Sequence, residues 1–328
     1  MNIRNTQELR TFAAQRVVAC RSQKQILLIY AGIVLGLAAL IPVINYIIGL
    51  QIDQYSGLRY MGRRTVLSSI RVFLPIGVDL ITMCLELGYM AAMLRIARGQ
   101  YVSPQTLRLG FDRFWVLLRS QILKTLIYFG ALMVSIYLGV LLFMLSPFSG
   151  NVMEIVLPYV SDPSALMAQE AVYCQFLDSI IPAYVLCGVL FIILCGPIFY
   201  SYRLVNYLLI DNPAMGALEA LRQSKRMMRK NRRYLLKLDI FQWAFYLAIL
   251  AAHVLCYADW ILPLFGISLP GHEAIWFIGF RAAYIAAEFS AYFFFKNKVE
   301  TAYALAYDAV KPEPSKDNSV VLGNIFQM

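Results

Sequence analysis

The sequence predicts an all-α, polytopic membrane protein with six transmembrane helices and amphipathic helices on the cytoplasmic surface. Hydrophobic residues make up 60% of the 328 residues and charged residues only 15%, whereas a typical soluble domain has about 25% charged residues. Six apolar runs, each bounded by charge, reach the roughly 20 residues with which an α-helix crosses the hydrocarbon core. Because backbone groups in lipid must be hydrogen-bonded within the segment, we expect these runs to be helices.

The predicted spans follow one another along most of the chain. Residues 1–310 are therefore expected to form a single six-helix transmembrane domain, because no connection is long enough for an independent soluble domain. The tail, residues 311–328, is predicted to be disordered and cytoplasmic. The spans cover residues 26–50, 72–94, 122–147, 180–210, 235–262 and 274–295.

The positive charges give the predicted orientation. The chain has a formal net charge of +10, and its Lys and Arg residues precede the odd-numbered spans and follow the sixth. The loop 148–179, whose role the sequence does not assign, contains acidic residues and no Lys or Arg. The positive-inside rule therefore predicts cytoplasmic N- and C-termini and indicates a bilayer, not nucleic acid, as the partner. Arg59, Arg63 and Arg64 contradict this sorting, since they lie on the predicted outer side, where only lipid headgroups would bind them.

A basic segment with helical periodicity precedes each odd-numbered span, and the one before the fifth has the clearest pattern. Asp211 and Asn212 are predicted to cap a helix in which Pro213 takes the first position. Apolar residues then recur at three-to-four-residue steps, so we expect this helix to lie on the membrane surface and bind anionic lipid headgroups. Alternatively, the segment is an ordinary basic inner loop. Its cations are Arg222, Lys225, Arg226, Arg229, Lys230, Arg232 and Arg233.

Four ionisable residues interrupt the second and sixth spans. Asp79 and Glu86 are seven residues apart, as are Arg281 and Glu288, so each pair shares a helical face at matching depths. If the two helices pack together, Asp79 would pair with Arg281, and the two glutamates would share a proton or a cation. One hypothesis is a polar pathway for a proton, a cation or a charged lipid group. The other is a structural salt bridge with a neutral glutamate.

The fifth span contributes His253 to this polar intramembrane cluster. Cys256 follows at i+3, a spacing that a metal site could use. A buried histidine that is hydrogen-bonded to a neighbouring helix explains the residue better, so neither a metal nor another cofactor is predicted. The chain lacks the GxSxG, HExxH and glycine-rich phosphate-loop patterns, and it is therefore predicted not to be an enzyme.

Two blocks resemble a known family. One contains Tyr207 to Pro213, followed by Glu219, Leu221, Ser224, Met227 and Met228, and the other contains Leu87, Gly88, residues 97–100, Gly110, Phe111 and Phe114. Their order and spacing resemble the bacterial integral membrane proteins of domain-of-unknown-function family 975 over most of residues 87–243. The resemblance implies a bacterial cytoplasmic membrane protein without an established biochemical activity. The loop 148–179 departs from the shorter connection expected in that family.

Two functions fit these observations. The first is a small transporter or lipid-handling protein with a polar path between the second and sixth spans. The second is a non-catalytic membrane scaffold or assembly factor, which binds anionic lipid or a membrane-protein partner through its basic helices. A cavity that reaches Glu86 would favour the first function.

Overall fold

The computed structural model describes residues 6–54, 61–159, 169–258, 261–262 and 273–311, and all regular secondary structure in them is helical. The predicted all-α class is confirmed. Short 3₁₀ turns cover Pro104–Arg108 and Leu157–Tyr159, and a π-helical turn covers Tyr292–Lys296. The α-helices are α1 (Thr6–Ala19), α2 (Gln23–Gln54), α3 (Met61–Ala97), α4 (Leu109–Asp112), α5 (Phe114–Met144), α6 (Phe148–Val156), α7 (Glu170–Tyr202), α8 (Val205–Asp211), α9 (Ala217–Met228), α10 (Arg232–Phe241), α11 (Trp243–Cys256), α12 (Glu273–Ala291) and α13 (Asn297–Val310).

The number of candidate membrane spans differs from the prediction. In the described part of the chain, three stretches are long and apolar enough to cross a bilayer: Gln23–Ile52, Phe114–Met144 and Ala171–Asp211. Helices α10 and α11 become a fourth candidate if this pair, bent by 66°, is one span. Three to four candidates therefore replace the predicted six. The second and sixth predicted spans lie in α3 and α12, where ionisable side chains interrupt the apolar sequence.

The sixth predicted span does not end as expected at Phe295. Helix α12 continues through the π-helical turn into α13, in which eight of the 14 residues are buried. The largest apolar cluster lies where α13 meets α1, the C-terminal part of α3, α8, α9 and α10. Within it, Tyr207 of α8 stacks on Tyr307 of α13 with ring centroids 5.4 Å apart. The predicted disordered tail lies outside the described residues from 312 onwards.

An ionic network joins the ends of three helices beside this cluster. Arg98 pairs with Asp211 at 2.6 Å and with Asp308 at 2.6 Å, and Lys311 pairs with Asp211 at 2.5 Å. The Tyr307 hydroxyl also donates to Asp211 at 3.0 Å. These hydrogen bonds to Asp308 and Asp211 raise the pKa of Arg98, so its guanidinium stays charged. The C-terminal ends of α3, α8 and α13 consequently lie on one side of the molecule.

Asp211 therefore does not cap the predicted surface helix. Helix α8 ends at Asp211, and α9 begins at Ala217 after Gly216, so the predicted start at Pro213 is wrong. The apolar face of α9 packs against α5, α7 and α8, and the Ser224 hydroxyl donates to the Ser201 carbonyl at 2.8 Å. Protein, and not lipid, therefore covers that face.

Two glycines allow α3 to contact the segment that leads into α5. A Cβ atom on Gly88 would collide with the Leu107 backbone, and one on Gly110 would collide with the Cys84 backbone. A hydrogen bond of 2.9 Å from the Ser22 hydroxyl to the Val102 carbonyl ties the start of α2 to the same segment. The segment thereby fixes where α5 begins beside α3.

Two features of the predicted outer loops lie only partly within the described residues: the arginines before the second predicted span and the acidic loop 148–179. Arg63 and Arg64 lie in the first turn of α3, whereas Arg59 falls outside the described residues. The acidic loop 148–179 begins with α6, which packs against α7, and ends within α7 itself.

Candidate functional site

A polar cavity lies between α3, α5, α7, α8 and α13. Its volume is about 230 Å³. Glu86 of α3 lines it, so the feature that the sequence hypothesis requires is present. The other lining residues are Met90, Gln121, Lys124, Tyr128, Phe199, Tyr202, Arg203, Asn206, Tyr207, Glu300 and Tyr303.

The two cations of this cavity, Lys124 and Arg203, form no ion pair in the described part of the chain, although the carboxylates of Glu86 and Glu300 line the same cavity. Among the described residues, the ion pairs involve only Arg98, Lys311 and the two aspartates described above. The guanidinium of Arg203 lies against aromatic rings instead, 4.5 Å from the Tyr303 centroid and 5.2 Å from that of Phe199. These rings hold the cation in place without using its N–H donors. Lys124 and Arg203 are therefore available to an anion in the cavity.

Glu300 is held by a hydrogen bond at the cavity wall. The Tyr207 hydroxyl lies 3.3 Å from its Oε2 atom and can donate to it. Burial raises the pKa of Glu300, an effect that Lys296 and Arg203 partly offset. Because a raised pKa favours the neutral carboxyl, Glu300 contributes less than a full negative charge to the cavity.

One further polar atom at the cavity lacks a partner. The Asn206 amide donates to the Met90 sulfur at 3.6 Å, and its Oδ1 atom is buried with no hydrogen-bond partner in the described structure. An unpaired buried acceptor is unfavourable. A water molecule or a hydroxyl group of a ligand would donate the hydrogen bond that this oxygen lacks.

The predicted pair of Asp79 and Arg281 is not formed. Arg281 donates to the Cys256 sulfur, and its guanidinium lies 5.1 Å from the Phe277 ring centroid and 5.6 Å from that of Tyr257. Asp79 is exposed on α3 and, within the described residues, has no ion-pair partner. The physical reason is the helix arrangement: α12 packs on α11 and α2, whereas α3 packs on the other neighbours of this region, α2 and α13.

The predicted pair of glutamates is also wrong. Glu86 lines the cavity, whereas Glu288 is buried near α2 and accepts a hydrogen bond of 2.8 Å from the Tyr292 hydroxyl on its Oε1 atom. Its Oε2 atom is buried and has no hydrogen-bond partner in the described structure. The two carboxylates are therefore separate features.

Glu288 instead begins a polar stripe that leads towards the cavity. Glu288, Tyr292, Lys296 and Glu300 recur every four residues through the π-helical turn, so they lie on adjoining turns of one helix face. Lys296 is only 7% exposed, and its ammonium lies 4.5 to 5.6 Å from three tyrosine ring centroids. The stripe meets α3 at Lys296, whose ammonium lies 5.6 Å from the Tyr89 ring centroid. π-Helical turns of this kind are frequent at functional sites.

His253 is not part of the cavity. Its Nδ1 atom lies 2.8 Å from the Ile249 carbonyl oxygen, and its ring meets Tyr284 edge-on at 5.6 Å. Cys256, its predicted neighbour in a metal site, accepts the Arg281 hydrogen bond instead. In the part of the chain that the structure describes, no group of three or more His, Cys, Asp and Glu residues could hold a metal ion.

The predicted lipid-binding cations form a separate exposed surface. Six of the seven are exposed: five lie on α9 and in the turn after it, and Arg233 lies in the first turn of α10. The seventh, Arg232, is half-buried and its Nε atom has no hydrogen-bond partner in the described structure. This surface and the cavity are therefore two distinct sites.

Sequence reasoning missed Lys124, Arg203, Lys296 and Glu300. The first two were detectable, because each is a charged residue inside an apolar run and such residues are rare in membrane spans. Lys296 and Glu300 follow the sixth run and resemble ordinary flanking charges. Only the continuous helix from α12 to α13 shows that they turn inward.

A family model described as Protein of unknown function (DUF975) matches residues 1–301. The resemblance that residues 87–243 indicated is confirmed, and the match extends it to both sides. No curated protein and no solved structure matches the chain.

Proposed function

The chain belongs to the DUF975 family, and we propose that it is an integral membrane protein that binds and moves an anionic solute or lipid headgroup through its polar cavity. The single observation that carries this proposal is that Lys124 and Arg203 both line the cavity and form no ion pair within the described residues. A planar guanidinium suits phosphate and carboxylate groups, because it offers several N–H donors in a fixed geometry. We expect binding and movement without covalent catalysis.

Several features support a location in the bacterial cytoplasmic membrane. The candidate spans α2, α5 and α7 expose many large apolar side chains, as lipid-facing helices do. We propose that α3, the α10–α11 pair and α12 also cross, which restores six crossings. The ionic network then lies on the cytoplasmic side with α1 and α13, whose mutual packing keeps both ends of the described chain together. This arrangement agrees with the positive-inside rule.

Charge balance supports an anion over a cation as the ligand. The cavity is lined by Lys124 and Arg203, which oppose the carboxylates of Glu86 and Glu300. Burial raises the pKa of Glu300 and so reduces its negative charge, whereas the Arg203 guanidinium stays charged and favours an anion. The polar stripe from Glu288 to Glu300 would supply a route by which a proton accompanies the anion, since its carboxyl, phenol and amine groups can each carry a proton.

Binding provides the first test. Thermal unfolding of the purified full chain in detergent is measured with inorganic phosphate, with acetate and with short-chain phosphatidylglycerol. At least one of them should raise the melting temperature of the wild type and of the control Arg229→Gln, which loses an exposed cation on α9. The same anion should have little effect on Arg203→Gln or Lys124→Gln. An equal shift in all four proteins would contradict the proposal.

Transport provides the second test. Proteoliposomes that contain the chain are loaded with the anion identified by binding, and its movement is followed with a radioactive label. Glu86→Gln and Arg203→Gln should each slow the flux at least tenfold, while Arg229→Gln leaves it unchanged. If neither variant alters flux and only thermal stability falls, the polar groups are structural.

The second candidate function is a membrane scaffold. The exposed cations of α9 favour it, because such a surface suits anionic lipid or an acidic partner. This function predicts no flux with any of the three anions. It also predicts that Arg229→Gln, and not Arg203→Gln, weakens association with anionic vesicles.

A further inference from the structure

We propose that a groove at the bend between α10 and α11 binds one anionic phospholipid with a hydroxylated headgroup. The groove is separate from the polar cavity, and the proposal does not rest on the function proposed for that cavity. Helix α1 forms one wall, the bend forms the floor, and the start of α13 forms the other wall. Its volume is about 580 Å³, which is ample for a headgroup and the first part of its acyl chains.

The groove has a positive charge that no residue of its own offsets. Arg10 of α1 and Lys298 of α13 both line it, and both are exposed. Neither has an ion-pair partner within the described structure, and no acidic residue lines the groove. Two cations that line one groove without a carboxylate repel each other, so an anion bound there is stabilising. A phosphodiester that bridges the walls meets this requirement.

The floor of the groove supplies a second requirement. Gln242, the residue between α10 and α11, is 6% exposed, and its Oε1 atom is buried without a hydrogen-bond partner in the described part of the chain. A buried amide oxygen is an acceptor only, so it needs a donor from the ligand. A phosphodiester oxygen cannot donate, whereas a headgroup hydroxyl can. The missing donor therefore favours a glycerol-type headgroup over choline.

The remaining walls are apolar and are continuous with the proposed bilayer surface. Phe241, Phe245 and Phe295 line the groove, and Phe295 is still 37% exposed. The 66° bend turns the chain from α10 into the apolar helix α11, which puts these rings where a headgroup region adjoins acyl chains. A soluble phosphate would use the cations but not the rings. The combination favours a lipid over a free anion.

The test uses the full chain in non-ionic detergent and counts bound lipid by native mass spectrometry. Phosphatidylglycerol should occupy one site at least tenfold more tightly than phosphatidylcholine. The double variant Arg10→Gln with Lys298→Gln should lose that preference. The matched control, Arg108→Gln with Arg119→Gln, removes the same charge at exposed positions that do not line the groove and should keep it. Equal loss in both double variants, or loss in neither, would overturn the proposal.

Two further experiments use the wild type and therefore do not depend on how the variants fold. They test whether the bound anion is a lipid or a free anion. Inorganic phosphate should not displace bound phosphatidylglycerol, because it lacks the acyl chains. Displacement at equal concentration would show a free-anion site and overturn the lipid assignment. In the wild type, phosphatidylglycerol with a photoreactive acyl chain should label the peptides around Phe245 and Phe295. Labelling confined to other peptides would also overturn it.

Discussion

Helix α3 contains two contrasting halves. From Cys84 to Ala97 nearly every residue is buried, whereas none of residues 61–83 is buried. The C-terminal half belongs to the inner region, which we define as this half with α1, α8, α9, α10 and α13. The N-terminal half belongs to the outer region, which also includes the parts of α5 and α7 that lead towards α6. One continuous helix therefore has protein as its surroundings at one end and not at the other.

The contrast indicates which surroundings, protein, water or lipid, suit each region. Large apolar side chains remain exposed throughout the outer region, including Phe73 at 66% and Ile192 at 71%. Each Å² of apolar surface left in water costs about 25 cal/mol, so this exposed apolar surface favours lipid over water around the outer region. Polar groups follow the same division: Asp211 of the inner region has several protein partners, whereas Asp79 of the outer region has no ion-pair partner in the described structure.

Glycine-to-alanine substitutions in α3 should give the largest difference in free energy of unfolding between the two regions. Gly88→Ala places a Cβ atom against the Leu107 backbone, whereas around Gly77, in the same helix, nothing lies within 4 Å of an added Cβ. Backbone cannot move aside cheaply, so Gly88→Ala should lower the free energy of unfolding by about 3 kcal/mol. Gly77→Ala should change it by less than about 0.5 kcal/mol or be slightly stabilising. Thermal unfolding in detergent measures both.

Similar effects from these two glycine variants would contradict the division of α3. If both variants are tolerated, the contact between α3 and the segment that contains Leu107 is looser than the described structure indicates. If both are strongly destabilising, the outer half of α3 packs against protein.

The two aspartates give the next largest difference. Asp211→Asn removes the charge that binds Arg98 and Lys311, and it should cost about 2 kcal/mol, because these partners are only partly exposed. Asp79→Asn removes an exposed charge without an ion-pair partner in the described structure and should cost less than about 0.5 kcal/mol. High salt should shrink the Asp211 effect only slightly, since the network is partly buried.

Thermal unfolding at low and high salt measures both variants. A loss for Asp79→Asn as large as that for Asp211→Asn would indicate a partner for Asp79 outside the described residues. Arg98→Gln serves as a check, because it breaks the same network from the other side.

The sequence predicts features that depend on local residue patterns. It misses features that depend on how far one helix is shifted along its neighbour. Apolar runs and their flanking charges suffice for the all-α class and for Glu86 as a polar residue of α3. A seven-residue spacing also places Arg281 and Glu288 on one face correctly. It does not determine which turn of a neighbouring helix they meet. The π-helical turn and the continuation into α13 bring residues from Lys296 onwards, and not Arg281, against α3.

The cavity residues illustrate the same limit. Lys124 and Arg203 lie in apolar runs that the sequence identifies, so their charge marks them as unusual. Their meeting requires the break between α7 and α8 at Arg203 and the close packing of α5 on α7. Neither feature has a local signature, because both arise from contacts between distant segments.

Glu300 should give the inner region a distinctive dependence on pH. Burial raises its pKa above 4.5, with Lys296 and Arg203 partly opposing the shift. Between 4.5 and the raised pKa, the folded chain holds a proton that the unfolded chain has released. The free energy of unfolding therefore falls as pH rises through this window, by at most about 1.4 kcal/mol for each pH unit.

Glu300→Gln removes that contribution. Its free energy of unfolding should fall less steeply with rising pH than that of the wild type, so the variant gains relative stability towards neutral pH. Thermal unfolding across the acidic and neutral range measures the difference. Asp308→Asn, which changes a more exposed acid of the same helix, is the control. Parallel curves for Glu300→Gln and the wild type would show that this carboxyl is ionised when folded.

A single hydroxyl tests the contact that replaces the predicted one between the second and sixth spans. The Tyr89 hydroxyl donates to the Asn297 Oδ1 atom at 2.5 Å, and both residues are buried. Tyr89→Phe keeps the ring in place but leaves that acceptor unpaired, so it should cost about 1 kcal/mol. Tyr101→Phe, at a residue that is 86% exposed, should cost nothing measurable. Asn297→Leu should cost less in the Tyr89→Phe background than in the wild type, because only the hydrogen bond of 2.6 Å from the Asn297 amide to the Gln23 side chain is then left to lose. Additive losses in that double variant would mean that α3 and α13 are held together by something other than this hydrogen bond.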